Sequence, residues 1–137
     1  MNNKLSFGQS MKAGLLTASA AIITNVIIFF IFKSTGIFTD TILIDGKVPL
    51  TVLPIVISST VPTLIAALVF FLFEKFSSKG YRNFSILSVV LVILSLFSPF
   101  TIPNVTTGFA LGLDVMHLTI VFYLLYFLKK AIAKNAQ

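Results

Sequence analysis

Residues 83–113 read NFSILSVVLVILSLFSPFTIPNVTTGFALGL, thirty-one consecutive positions without a charged side chain. A helix crosses roughly 30 Å of hydrocarbon in about 20 residues, so the stretch is too long for a single crossing. Pro99, Pro103 and Asn104 stand in its middle. Prolines there lack the N–H that a helix needs and favour a turn. The spacing predicts two membrane spans folded back on each other, over about 84–100 and about 108–128.

Two further apolar runs lie upstream. Residues 13–32, AGLLTASAAIITNVIIFFIF, are uncharged and stand between Lys12 and Lys33, and residues 51–73 end at Glu74-Lys75. Ala18-Ser19-Ala20 has the small-x-small form of a signal-peptide cleavage site. Only about five apolar residues separate it from Lys12, fewer than the roughly 7–15 of a signal core. The apolar run also continues past it to Phe32, so the segment reads as an uncleaved helix. The expected fold is an all-α integral membrane protein. It forms one domain, 1–137, a four-transmembrane-helix antiparallel bundle with a short outer-loop β-hairpin.

Composition points the same way. The chain is 57% hydrophobic and 10% charged, against roughly 25% charged in a globular protein. Fourteen charged side chains cannot clothe a soluble surface, so lipid must be the solvent for most of it. A net charge of +6 raises the question of nucleic acid. The basic residues, however, sit at the ends of apolar runs, where they meet anionic headgroups. The expected partner is therefore the bilayer and not nucleic acid. With no cysteine, disulfides and thiolate metal sites are excluded.

Orientation follows from the basic residues flanking the spans. Lys4, Lys12, Lys75, Lys79, Arg82, Lys129, Lys130 and Lys134 fall on one side, eight in all, and only Lys33 and Lys47 on the other. The excess predicts a multi-pass protein of the cell inner (plasma) membrane with both termini cytoplasmic. Abundant Lys, Ile, Phe and Asn fit an AT-rich bacterial genome.

The outer segment 34–50 contains Thr41-Ile42-Leu43-Ile44, then Asp45-Gly46, then Lys47-Val48. Asp-Gly favours a two-residue type I′ hairpin turn, and Pro49 should end the second strand. An isolated two-stranded hairpin is marginal in water, so this one should lie against the bundle mouth or a second subunit. A simple solvated turn is the plainer alternative.

Lipid gives no hydrophobic reward for helix association, so small and polar residues mark the packing faces. Gly14, Ala18, Ala21 and Asn25 form one stripe in the first span, and Ser85, Ser88, Ser95 and Pro99 another in the third. By axial rise, Asn25, Ser59, Ser95, Ser98, Asp114 and His117 fall in one layer in the middle-to-outer part of the membrane. These six are the candidate ligand-binding residues. Asp114 is the most expensive, at roughly 2.5–3.5 kcal/mol near a helix centre. His117 lies one turn on, within reach of it. Intramembrane Asp–His pairs serve proton transfer, ligand binding or metal coordination; a hydrogen-bonded pair that only fixes helix register is the alternative. One His and one Asp are too few for a metal site within one chain. The usual hydrolase, metalloprotease and phosphate-loop motifs are absent, and no cofactor is indicated.

The stretch Leu94-Ser95-Leu96-Phe97-Ser98-Pro99, followed by Leu113-Asp114-Val115-Met116-His117-Leu118, resembles a family of small bacterial four-helix membrane proteins. In that family a Ser-Pro ends the third span and a Met-His sits in the fourth; it is known only as a domain of unknown function. The resemblance implies the topology and draws attention to His117, and it implies no activity. The leading functional expectation is a protein that binds or transports a small ligand, lipid or ion at the polar layer. Second comes a structural or accessory subunit of a homo-oligomer or larger membrane complex. Third is an intramembrane enzyme in which Asp114 and His117 act, with a serine of the layer as nucleophile and His117 as its base.

Overall fold

The computed structural model describes residues 4–44 and 46–137. Four helical segments are long and apolar enough to cross a membrane, the third counting its α-helix together with the 3₁₀ turn that continues it. Helix α1 spans Phe7–Ser34, α2 Val52–Phe76, α3 Gly80–Ser95 and α4 Thr107–Asn135. A 3₁₀ turn, Ser98–Thr101, continues α3 towards the loop. Two short strands, β1 (Leu43–Ile44) and β2 (Val48–Pro49), pair antiparallel between α1 and α2.

The first helix starts six residues before the expected boundary at residue 13. Its cause is a capping box: Gln9 N–H donates to Ser6 Oγ at 3.3 Å, and Ser6 N–H donates to Gln9 Oε1 at 2.8 Å. Hydropathy reports only the lipid-facing portion of a helix, whereas the cap satisfies orphan N–H groups outside it. Similarly, α4 runs beyond residue 128 to Asn135 and carries its lysines past the apolar stretch. The third span also departs from expectation. Regular α-helix stops at Ser95, and the chain tightens into the 3₁₀ turn around Pro99, which cannot donate to the Ser95 carbonyl. Asn104 then adopts a left-handed conformation, φ 59°, and Thr106 caps α4 by accepting from Phe109 N–H at 3.2 Å.

Packing follows a ring in which each helix touches its sequence neighbours and α4 closes against α1. Contact across the ring is slight between α2 and α4 and absent between α1 and α3 among the described residues. The predicted small-residue stripe is the tightest seam. Gly14, Ala18, Ala21 and Asn25 are all buried, and a Cβ placed on Gly14 would lie 2.6 Å from Ala67 Cβ. Large apolar side chains on the outer surface remain exposed, for example Ile23 at 63%, Leu53 at 66% and Phe122 at 66%. On a soluble protein that surface would be an aggregation hazard; in hydrocarbon it is the solvated face.

The segment between α1 and α2 caps one end of the bundle instead of standing free. Phe38, Ile42 and Leu50 are buried in a cluster with Phe29, Ile55, Phe109 and Met116. A Cβ on Gly112 would meet the Phe38 ring at 2.7 Å, so that glycine lets the aromatic plug seat on α4. The register pairs Ile44 with Val48. A two-residue type I′ turn would have paired Ile44 with Lys47. Gly46 takes φ +66° as the turn demands, while Asp45 lies outside the described residues.

Candidate functional site

Beneath this cap a cavity of about 240 Å³ opens between α1, α2, α4 and the 3₁₀ turn. Asn25, Ser58, Ser98, Thr101 and His117 provide its polar lining, with Ile44 of the hairpin and Met116 among its apolar walls. Asn25 is 1% exposed and holds three helices together. Its amide Nδ2 donates to Ser59 Oγ at 3.3 Å and to the Met116 carbonyl at 3.4 Å. Met116 O can only accept, so the amide nitrogen must face it. The amide oxygen Oδ1 is consequently left enclosed without a protein partner.

A second cavity, of about 360 Å³, lies between α2, α3 and α4. It shares Ser58, His117 and Ile120 with the first, so the imidazole stands between the two spaces. His117 Nδ1 is enclosed and has no protein partner. Pro62 also borders this second cavity; lacking an N–H, it leaves the Ser58 carbonyl without its helical donor. Helix α2 nevertheless runs unbroken through it.

Of the six residues singled out by sequence, Asn25, Ser98 and His117 share the first cavity, and Ser95 joins His117 at the second. Ser59 stands behind Asn25 as its acceptor. Asp114 is buried but lines neither cavity, and no hydrogen bond joins it to His117. Three residues advance a helix by about 300°, so the two side chains stand about 60° apart on the same side of α4, as neighbours without a shared bond. The hydroxyls of Ser58 and Ser95 donate to carbonyls of their own helices, Ile55 at 3.2 Å and Val92 at 2.7 Å. Neither is therefore engaged with the imidazole as a nucleophile would be. No group of three metal-ligating side chains clusters among the described residues.

Four buried side-chain polar atoms lack a protein partner among the described residues: Asn25 Oδ1, Asp114 Oδ1, His117 Nδ1 and Ser10 Oγ. Three of them belong to the predicted layer. Ser58, which lines both cavities, is not among the six, because serines are common in membrane helices and spacing alone does not rank them. That the hairpin's Ile44 would reach the cavity had no sequence signal beyond its apolar character.

The model of a family of unknown function, DUF6069, matches residues 6–134. The chain belongs to that family. The match takes in all four helices, both cavities and the hairpin, so the whole site is a feature of the DUF6069 region. No curated protein and no solved structure matches the chain.

Proposed function

We propose that this protein binds a small, hydrogen-bonding molecule or ion in the cavity lined by Asn25, Ser98 and His117, within the outer half of the membrane. The observation that carries the reading is the set of enclosed, unpartnered atoms beside that space. A buried polar atom without a partner costs about 1–3 kcal/mol, so the two on residues that line the cavity, Asn25 Oδ1 and His117 Nδ1, call for an occupant that bonds to them. Ligand sites have this character, with apolar walls and a few convergent polar groups. A volume of about 240 Å³ limits the occupant to a molecule of few heavy atoms. His117, placed between the two cavities, is the residue through which a bound species would pass from the hairpin end towards α3.

Eight basic residues at the end carrying the termini, against two at the hairpin end, support an arrangement with both termini cytoplasmic in the inner (plasma) membrane. In that arrangement the cavity opens outward. The absence of native cysteine makes the test direct. Ser98→Cys should react with a membrane-impermeant thiol reagent added outside intact cells, and Lys79→Cys should not. Protein isolated in native lipid should release a small molecule on denaturation that His117→Leu protein does not carry. Outside labelling of Lys79→Cys would reverse the orientation. An identical released fraction from wild type and His117→Leu would remove the binding role and favour a structural subunit.

A further inference from the structure

A third cavity, larger than the two above, is at the opposite end of the bundle, remote from the hairpin. It measures about 390 Å³ and lies between the start of α1 and the end of α4. Lys12, Lys130 and Lys134 line it together with Leu16, Phe127 and Ala131. No acidic side chain lines it, and none of the three ammonium groups forms an ion pair among the described residues. The chain's ends are drawn together at its rim, where Gln9 Nε2 donates to Asn135 Oδ1 at 2.7 Å and Asn135 Nδ2 donates to the Lys4 carbonyl at 3.2 Å.

From this geometry we infer that the groove binds one anionic phospholipid, its phosphate among Lys12, Lys130 and Lys134 and its acyl chains over Leu16 and Phe127. The lining is layered in the way such a molecule is. Leu16 follows Lys12 by four residues in α1 and Phe127 precedes Lys130 by three in α4, so the apolar level lies about one 5.4 Å turn deeper than the cationic level. Three uncompensated lysines select a negative headgroup over a zwitterionic one. Basic pockets between membrane helices take anionic lipid headgroups for this reason. A free phosphate would use the lysines but gain nothing from the apolar floor. A lipid held there would bridge the two terminal helices, which meet at this end only through the polar contacts at the rim and apolar packing.

Native mass spectrometry of delipidated protein, titrated with phosphatidylglycerol or phosphatidylcholine of the same acyl chains, tests the assignment. The first phosphatidylglycerol should bind at least about tenfold more tightly than phosphatidylcholine. The triple variant Lys12→Gln, Lys130→Gln, Lys134→Gln should lose about fivefold per lysine, roughly a hundredfold in all. A charge-matched control, Lys75→Gln, Lys79→Gln, Arg82→Gln, should change little. Ala131→Phe keeps every charge but fills the groove and should also abolish tight binding; millimolar inorganic phosphate should not displace the lipid. Equal weakening in the control variant, equal affinity for phosphatidylcholine, displacement by phosphate, or full binding by Ala131→Phe would each overturn the inference.

Discussion

Replacing Asn25 by leucine separates the cost of its unpartnered oxygen from the value of its two donated bonds. The bonds, at 3.3 and 3.4 Å, are long. Hydrogen bonds between membrane helices average about 0.6 kcal/mol, so together these two contribute about 1 kcal/mol. Against that stands the enclosed Oδ1, whose burial without a partner costs about 1–3 kcal/mol. Leucine has the same branching, and the adjoining cavity accommodates its larger methyl groups. In delipidated, ligand-free protein, Asn25→Leu combined with Ser59→Ala, which removes the buried hydroxyl that would otherwise lose its partner, should therefore stabilise the fold by about 1 kcal/mol, roughly a fivefold gain in the folded-to-unfolded ratio. Reversible unfolding in mixed micelles of dodecyl sulfate, read by circular dichroism, measures it. Protein kept in native lipid should show the opposite sign, because an occupant bonded to Oδ1 is lost with the amide. A loss exceeding about 1 kcal/mol in the ligand-free protein would refute the reasoning, since it would mean the oxygen is already satisfied by the fold itself.

Gly14→Ala should destabilise by about 1–3 kcal/mol through overpacking against Ala67, and the added exchange Ala67→Gly should restore most of that loss in the same unfolding assay. Gly46→Val should cost about 1–2 kcal/mol because valine is forced to positive φ, whereas Gly46→Asn should cost less, since nothing lies near the added Cβ and asparagine tolerates the left-handed region. Asp114→Asn and His117→Gln should couple by more than about 0.5 kcal/mol in a double-mutant cycle, because the two side chains lie one turn apart on α4 and interact through space without a shared bond; additive effects would show that the pair does not interact.

The fold was legible because hydrocarbon imposes so few solutions. An uncharged run interrupted by Pro99 and Pro103 leaves little besides a helical hairpin, and the stripe Gly14, Ala18, Ala21, Asn25 marked the buried face of α1 through side-chain size alone. The helix ends were less legible. Ser6 and Gln9 act through backbone hydrogen bonds that hydropathy does not register, and the α-to-3₁₀ change after Ser95 depends on how Pro99 is packed. The layer at the candidate site could be read as depth, since axial rise is fixed. Side-chain direction was another matter: proximity along α4 suggested a hydrogen-bonded Asp114–His117 pair, yet His117 lines the cavity while Asp114 does not, and no bond joins them. The groove at the other end escaped notice because Lys12 and Lys130 are far apart in sequence and meet only when α4 closes on α1.

Helix packing places the polar layer, and under the proposed binding role the loops would set what enters it. On the α1–α4 side the hairpin end is blocked by Phe38, seated on Gly112 and packed edge-on to Phe109 with centroids 4.9 Å apart. The open side is bounded by Ile44 and Leu50 from the hairpin segment and by Ser98, Thr101 and Ile102 from the 3₁₀ turn. Both boundaries are stiffened by residues that fix the backbone, Pro49 on one side and the buried Pro99 on the other. A change in either loop would alter the size of the entrance without touching Asn25 or His117. Selectivity among small ligands should accordingly follow the sequence of these two loops, whereas the capacity to bond a ligand at all should follow the polar residues of α1 and α4.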